Sequence, residues 1–379
     1  MYRARMLDVA SVVSKKSCFL LGPRQCGKTS LIHATLPDAY LFDLLDADVF
    51  LRLSRSPRYL GEVCTDVSRP VVIDEIQKMP TLLDEVHRLI ETRGMRFLLT
   101  GSSARKLRKG GVNLLGGRAR LRSIHPFSAA ELGEDFDLDR ALNYGLLPSI
   151  WESDSPEEDL AGYVKLYLEQ EVIQEGASRN LPAFSRFLEV AALSNAEQIN
   201  YQSIASETQI ARSTIQEYFR VLQDTLLARE LPVWRRGRSR KTVETSKFFL
   251  FDTGVTRRLQ GRVQLPEGTT EYGHAFESWV LHELASYVDA RRLDTPLAFW
   301  RTRTKLEVDF VVGDALAIEA KSTRNARSDD LKGLRAIAEE GTFRKRLLVC
   351  REPMRREVDG IVILPWREFV GQLWSGELF

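Results

Sequence analysis

The sequence predicts a multidomain α/β protein, with an α/β region at each end and a largely helical region between them. Apolar runs alternate with helical patterns through the first third, which is typical of a parallel sheet covered by helices. Two consecutive helical patterns in the middle indicate a helix-turn-helix, and a helix followed by several strand patterns ends the chain. At 379 residues the chain is long enough for two or three domains.

The composition is ordinary for a globular protein, with 28% charged and 44% hydrophobic residues. The net charge of +2 means that any nucleic-acid surface must be local. The 4 cysteines form no C-x-x-C pair, so we expect reduced thiols and neither a zinc site nor a disulfide. No apolar run has membrane-spanning length, and no signal-peptide core follows residues 1–5. We therefore expect a cytoplasmic protein that has no membrane partner.

A glycine-rich stretch at 22–30 carries the first candidate site. It lies between an apolar strand pattern at 18–21 and a helical pattern that begins at Ser30. In this context G-x-x-x-x-G-K-[ST] binds ATP, because its backbone N–H groups converge on phosphate oxygens. We expect Lys28 to reach the β- and γ-phosphates and Thr29 to hold Mg²⁺. The expected ATP-binding residues are Gly22, Pro23, Arg24, Gln25, Cys26, Gly27, Lys28, Thr29 and Ser30.

Two adjacent acids follow the buried strand pattern at 70–73. Ligands bind at the carboxyl ends of strands in a doubly wound sheet. We therefore expect Asp74 to hold Mg²⁺ and Glu75 to orient or deprotonate the attacking water. Ser102 or Thr100, at the end of the next strand pattern, is expected to sense the γ-phosphate, although an ordinary polar loop start explains either residue as well.

A basic side chain after two glycines, Arg118, is a candidate arginine finger for a neighbouring subunit's site. Arg120 is the alternative finger, and a solvated arginine is an equally good interpretation of both. A finger of this kind implies a homo-oligomer, for which a ring is the expected form.

The middle of the chain predicts a winged helix. Helical patterns at 201–208 and 213–222 flank a short turn, and Ser213 begins a capping-box pattern. A basic turn between two β-type stretches would form the wing. The residues expected to contact the DNA backbone are Arg235, Arg236, Arg238, Arg240 and Lys241. The second helix carries few positive charges, so a packing module is the alternative.

The last third contains a second candidate site. Asp309 and Glu319 lie on two neighbouring strand patterns, and Glu277 lies on the helical pattern before them. Three carboxylates of this kind suit Mg²⁺, or Mn²⁺, and Lys321 would position or deprotonate the attacking water. Surface salt bridges are the alternative.

Several side chains near this site have less defined roles. His274 and His282 are separated by more than two helical turns, so they are interpreted as structural residues and not as a metal pair. The side chains expected along a substrate groove, with solvated arginines as the alternative, are Trp300, Arg301 and Arg303.

Taken in order, these motifs resemble the AAA-type P-loop ATPases. More narrowly, the chain is similar to a large bacterial and archaeal family of AAA-like ATPases whose C-terminal region is catalogued as a domain of unknown function. The matching stretches are 22–29, 73–77, 99–103, 117–118, 125–128, 145–148 and 251–254. The last third resembles the PD-(D/E)xK nuclease superfamily, although Val308 stands where that superfamily often has proline.

The resemblance implies an AAA-like α/β ATPase domain at 1–140 and a helical linker at 141–180. It further implies a winged helix at 181–255 and a restriction-endonuclease-like α/β domain at 256–379. Catalytic roles would fall to Lys28, Glu75, Arg118, Asp309, Glu319 and Lys321.

Two functional hypotheses follow. The first is an ATP-hydrolysing enzyme that couples nucleotide turnover to DNA binding and Mg²⁺-dependent cleavage, on branched or unwound DNA. The second is a nucleotide-dependent switch whose nuclease-like domain binds a partner or DNA without cutting. RNA as the substrate ranks last, because no stacking aromatic pair is visible in a strand.

Overall fold

The computed structural model describes residues 2–103, 115–168, 180–235 and 243–379. The described α-helices are α1 Val9–Lys15, α2 Lys28–Thr35, α3 Ala47–Arg55, α4 Tyr59–Val63, α5 Leu82–Arg93, α6 Ala129–Leu132, α7 Leu138–Tyr144, α8 Pro148–Trp151, α9 Pro156–Gly162, α10 Leu181–Leu193, α11 Tyr201–Thr208, α12 Arg212–Asp224, α13 Thr253–Leu259, α14 Thr270–Arg291, α15 Lys332–Ile337 and α16 Trp366–Ser375. The described strands are β1 Ser17–Leu21, β2 Tyr40–Asp43, β3 Val71–Asp74, β4 Phe97–Gly101, β5 Ala119–Ser123, β6 Ala228–Leu231, β7 Lys247–Leu250, β8 Leu297–Arg301, β9 Glu307–Val312, β10 Leu316–Ala320, β11 Lys345–Cys350, β12 Arg356–Val358 and β13 Ile361–Pro365.

The N-terminal region is a five-stranded parallel sheet in the order β2-β3-β4-β1-β5. Alternate residues of β1 face opposite sides, because side chains alternate along a strand. Cys18 and Leu20 join the apolar core that continues into the middle region. Phe19 and Leu21 face the core formed with α3, α4 and α5. All β1 side chains are buried, which explains its uninterrupted apolar run.

The middle region consists of α10, α11 and α12 with an antiparallel pair of strands, β6 and β7. Its core is aromatic, and Phe219 packs edge-on against both Phe187 and Phe248. The predicted turn is present at Gln209, where φ is 56°. The predicted capping box is wrong: α12 begins at Arg212, the N-cap is Ala211, and no side chain caps the helix. Ala211 has a non-helical backbone conformation and the helix begins at the next residue, so Ser213 already lies inside the helix and cannot act as its N-cap.

The C-terminal region is a mixed six-stranded sheet in the order β12-β13-β11-β10-β9-β8. Strands β8, β9 and β10 are antiparallel neighbours, whereas β10, β11 and β13 run parallel. One face packs against α14 and α16 through residues such as Trp279 and Phe369. The other face packs against α15 through Leu334 and Ile337.

The middle region is joined to the edge of this C-terminal sheet. Val233 forms a parallel bridge with Phe299 of β8, and the Trp234 amide donates to the Phe299 carbonyl at 2.7 Å. The Val243 amide donates to the Arg301 carbonyl at 3.0 Å. The chain on both sides of the predicted wing turn is therefore fixed to β8.

Two of the later motifs pack against each other. Asp252 accepts hydrogen bonds from the amides of Leu146 (2.7 Å) and Val255 (3.0 Å). A Cβ on Gly254 would come within 2.2 Å of the Tyr144 carbonyl, so only glycine fits there. These stretches at 145–148 and 251–254 therefore hold α13 against the segment that precedes α8.

The four cysteines are free and buried, in agreement with the expected reduced thiols. None of the helices in the described part of the chain combines the length and apolar character that crossing a bilayer requires.

Candidate functional site

The P-loop joins β1 to α2 at the end of the N-terminal sheet where the parallel strands have their carboxyl ends. Gly27 precedes the helix with φ at 84°, a conformation that glycine adopts without strain. Lys28 is buried, and its Nζ donates to the carbonyls of Gly22 (2.8 Å) and Pro23 (3.0 Å). A Cβ on Gly22 would lie 2.5 Å from Ile124. The loop is thus closely packed from behind, and the lysine is folded against it.

Thr29 and the predicted acid meet directly. Thr29 is exposed, and its hydroxyl donates to Asp74 Oδ2 at 3.1 Å. The Thr100 hydroxyl donates to Asp74 Oδ1. This contact arises because β4, which carries Thr100, lies between β1 and β3 in the sheet. Thr29 and Asp74, the two residues expected to hold Mg²⁺, are therefore in contact at the carboxyl ends of the strands.

Glu75 has a backbone conformation that is rare for a side chain other than glycine, with φ 60° and ψ 41°. Burial raises the pKa of its carboxyl above the ordinary value, and the neighbouring Asp74 acts in the same direction. Gln77 was not predicted as a site residue, yet its amide donates to the Glu75 carboxylate and to Ser102 Oγ at 3.2 Å. Gln77 thus links the expected base to the expected γ-phosphate sensor.

Arg118 lies at the opposite end of the sheet from the P-loop, where the strands have their amino ends. Ser17, at the start of β1, pairs with Ala119, whereas the P-loop follows the end of β1 at Leu21. The Arg118 guanidinium pairs with the Glu91 carboxylate. Arg118 is therefore remote from the nucleotide site of its own chain.

Arg5 is a second residue that the sequence did not single out. Its guanidinium is buried and donates to the carbonyls of Cys26 in the P-loop (2.8 Å) and His125 (2.6 Å). It also pairs with the buried Glu131 carboxylate at 3.0 Å. Arg5 therefore ties the P-loop to the segment that leaves β5.

That segment contacts α14 of the C-terminal region. His125 Nε2 lies 2.6 Å from Asp289 Oδ2, and the Ala129 amide donates to Glu283 Oε1 at 2.7 Å. Glu277 lies on the same helix, and its 12-residue separation from Asp289 corresponds to about 18 Å along the axis. A single helix thus connects the surroundings of the P-loop to the second candidate site.

The second site is an open cleft of about 700 Å³ that contains the predicted residues. Asp309 and Glu319 are buried, whereas Lys321 is partly exposed. Lys321 Nζ lies 2.7 Å from Glu319 Oε1 and 3.9 Å from Asp309 Oδ2. The Ala320 amide donates to Asp309 Oδ2 at 3.0 Å. Glu319 Oε2 is buried and has no hydrogen-bond partner among the described residues.

A second lysine, which was not predicted as a site residue, enters this cleft from β7. Lys247 Nζ lies 2.8 Å from Glu277 Oε1, 2.5 Å from Glu307 Oε1 and 3.3 Å from Asp309 Oδ1. The sequence signal that could have identified it is a lysine directly before an apolar strand pattern, Phe248 to Leu250. The structure buries all of these residues. A buried lysine needs carboxylate partners. Glu307, also not predicted, further pairs with Arg301 at 2.9 Å.

The pKa values reflect this crowding of charge. Burial, reinforced by Asp309, raises the pKa of Glu319 to about 8 and that of Glu277 to about 7. Burial alone would raise the pKa of Asp309, but Lys321 and Lys247 hold it below the ordinary value. The pKa of Lys247 is well above its ordinary value because its three carboxylates outweigh the effect of burial.

Among the described residues, no group of three or more histidine, cysteine, aspartate or glutamate side chains is arranged to hold a metal ion.

The residues expected along a groove divide into three kinds. Trp300 is fully buried in the sheet core, so its predicted groove role is wrong. Arg301 lines the cleft and Arg303 is exposed. His274 also lines the cleft, whereas His282 is hydrogen-bonded to the Phe127 carbonyl at 2.9 Å, which is a structural contact.

The predicted DNA-contact residues are mostly not covered by the structure. Arg235 is described and exposed. The remaining members of the basic turn lie outside the described residues: Arg236, Arg238, Arg240 and Lys241.

Three family descriptions match successive parts of the chain. An AAA domain matches residues 14–133, which include the P-loop, Asp74, Glu75 and Ser102. Two domains of unknown function match residues 135–265 (DUF8612) and 272–369 (DUF4143). Lys247 thus belongs to one matched segment, and the carboxylates that it contacts belong to the next.

The chain is also similar to an uncharacterized protein of Mycobacterium bovis and to one of Mycobacterium tuberculosis. Each is 28% identical over 318 residues, covering 80% of this chain and 70% of the relative. A crystal structure of a STAND (signal transduction ATPase with numerous domains) protein with a tetratricopeptide repeat sensor, from Pyrococcus horikoshii, matches at 16% identity and a TM-score of 0.22. The match covers 74% of this chain and 46% of that one, and at this TM-score it carries no weight. The AAA match and the parallel sheet that carries its P-loop support an AAA-type P-loop ATPase.

Proposed function

We propose that this protein hydrolyses ATP in its N-terminal domain and uses that cycle to control Mg²⁺-dependent cleavage of DNA in its C-terminal cleft. The observation that carries the proposal is the convergence of Asp309, Glu319 and Lys321 in an open cleft, where Glu319 Oε2 is buried and unpaired among the described residues. An unpaired buried carboxylate oxygen is costly, and a cation bound there would remove that cost.

Two carboxylates are enough for Mg²⁺, which is usually held by one or two carboxylates together with water and substrate phosphate. Asp309 and Glu319 fit that requirement. When bound, Mg²⁺ would stabilise the negative charge that develops on the phosphate. Lys321, which is 38% exposed at its side chain, is accessible to orient the attacking water.

In the N-terminal site, Lys28 would leave the loop carbonyls and bind the β- and γ-phosphates. Thr29 and Asp74 would hold Mg²⁺, since their oxygens are already in contact. Glu75 would orient the attacking water, with Gln77 fixing its carboxylate. The contacts from the P-loop through Arg5 to α14 favour control of the C-terminal cleft by the nucleotide.

DNA would be held by a winged helix at 181–255, whose basic turn comprises Arg235 and the residues that follow it. The described residues on both sides of that turn are hydrogen-bonded to β8, and Arg301 of β8 lines the cleft. These contacts of the described residues support a DNA path that passes from the middle region to the carboxylates. Branched or partly single-stranded DNA is the expected substrate.

Arg118 would act only in another subunit, because it lies at the sheet edge opposite the P-loop of its own chain. The proposed assembly is a homo-oligomeric ring in which Arg118 reaches the neighbouring nucleotide.

The second candidate is a nucleotide-dependent switch that binds DNA without cutting it. The observation that favours it is Lys247, whose ammonium already neutralises Glu277 and Asp309. A site with its own permanent cations has less need of a metal ion.

A cleavage assay separates the two candidates. Single-stranded, duplex and branched DNA are incubated with Mg²⁺ or Mn²⁺, with and without ATP, using wild type, Asp309→Ala and Lys28→Ala. Cleavage by wild type that is lost in Asp309→Ala supports the nuclease, and loss in Lys28→Ala as well supports control by ATP. Intact ATPase activity without cleavage of any substrate would favour the switch.

A further inference from the structure

We infer that the C-terminal cleft takes a single divalent cation, at Asp309 and Glu319, and that the ammonium of Lys247 serves as its permanent second cation. This inference rests on the proposed metal role of the cleft. It assigns to Lys247, which lies in a different matched segment from its carboxylate partners, the role of setting the number of divalent ions that the cleft binds.

The two oxygens of Asp309 face different cations. Oδ1 lies 3.3 Å from Lys247 Nζ, whereas Oδ2 accepts from the Ala320 amide and lies 3.9 Å from Lys321 Nζ. Glu277 and Glu307 are both on the Lys247 side. The cleft therefore divides into a part in which the buried ammonium of Lys247 meets three carboxylates and a part in which the partly exposed Lys321 contacts Glu319 Oε1 but leaves Glu319 Oε2 unpaired.

The surroundings of Lys247 hold it in this position. Its side chain is 4% exposed, and its ammonium lies 5.6 Å from the ring centre of Phe299. Its backbone pairs with Leu231 of β6 and forms a bridge with Gln198. The next residue, Phe248, is buried in the aromatic core. The lysine is thus anchored by its backbone in β7 and by the contacts of its ammonium with three carboxylates.

A divalent cation placed between Glu277 and Asp309 Oδ1 would be repelled by this ammonium, which already neutralises Glu277. Glu277 is thus a partner of Lys247 and not a metal ligand.

The test counts bound Mn²⁺ by electron paramagnetic resonance in the nucleotide-free full chain. The nucleotide site contributes equally to every variant, so differences between variants report the cleft. Glu319→Gln should lose one ion relative to wild type, and Glu277→Gln should lose none. Lys247→Met should gain one ion, and Lys247→Met combined with Glu277→Gln should return to the wild-type count. Lys321→Met is the matched control, since it removes a lysine from the cleft and should add no ion.

An unchanged count in a folded Lys247→Met variant overturns the inference, as does loss of an ion in Glu277→Gln. Should Lys247→Met fail to fold, the Glu277→Gln arm decides alone. A Glu319→Gln variant that loses no ion overturns the metal role itself. Correct ion counts without DNA cleavage would overturn only the proposed function.

Discussion

The nucleotide site and the C-terminal cleft use similar chemistry but are assembled in different ways. Each combines buried acids with a lysine at the edge of a sheet. Lys28 and the rest of the P-loop come from one contiguous stretch of sequence. Among the described residues, the Lys28 ammonium donates hydrogen bonds only to carbonyls of its own loop. The cleft takes Lys247 from the middle region and Glu277 from a helix. Local sequence therefore identifies the residues expected to bind the nucleotide, although not Gln77 or Arg5, and it identifies only part of the second site.

The largest expected effect tests whether the two sites are chemically separate. Glu75→Gln should lower ATP hydrolysis by about 10²–10⁴-fold, because it removes a general base while keeping the shape of the side chain. ATP binding and the Mn²⁺ count of the cleft should not change. Steady-state hydrolysis and nucleotide binding by fluorescence measure this.

Glu62→Gln is the matched control, since it alters an exposed carboxylate on α4 of the same domain. Normal hydrolysis in Glu75→Gln would remove Glu75 from the mechanism. An equal loss in both variants would indicate a general effect on the domain.

The next effect tests the structural role of the composite cleft. Lys247→Met leaves Glu277, Glu307 and Asp309 without their shared ammonium, and breaking a buried ion pair costs about 3–5 kcal/mol in the free energy of unfolding. Lys321→Met should cost less, because that side chain is 38% exposed. Thermal and urea unfolding measure both. A Lys247→Met variant as stable as wild type would show that the cleft does not need this cation for folding.

A smaller effect concerns pH. The pKa values of Glu277 and Glu319 are raised from an ordinary value of 4.5 to about 7 and about 8. The folded protein thus retains two protons that the unfolded chain has released, so the stability from these groups is lost as the pH rises from about 4.5 to 8. Melting temperatures should fall between pH 6 and pH 8.5, and less steeply in Glu277→Gln/Glu319→Gln. Equal slopes in the two proteins would contradict the shifts.

The smallest effect concerns Arg118. Its ion pair with Glu91 is exposed, so Arg118→Ala should leave the free energy of unfolding almost unchanged. If Arg118 acts in a neighbouring subunit, the same variant should lose ATPase activity while remaining folded. Hydrolysis measured across a range of protein concentrations checks this. An unchanged rate at every concentration would exclude a finger role.

The sequence by itself determined the features that depend on contiguous residues. The P-loop, the acids at the carboxyl end of β3, the helix-turn-helix and the strands that carry Asp309 and Glu319 are local patterns of hydrophobicity, glycine and charge. The parallel sheet follows from those patterns, because strand and helix periods alternate along the chain. The bounds of α11, for example, agree with the predicted helix at 201–208.

Only the tertiary structure decided which distant residues meet. Arg5 reaches the P-loop and Lys247 reaches Glu277 across long separations in the chain, and no local pattern encodes such pairs. The edge on which Arg118 lies depends on strand register, which the sequence pattern does not specify. A buried charge needs an oppositely charged partner close in space, and that partner can be distant in the sequence. The partners therefore become identifiable only in the folded chain.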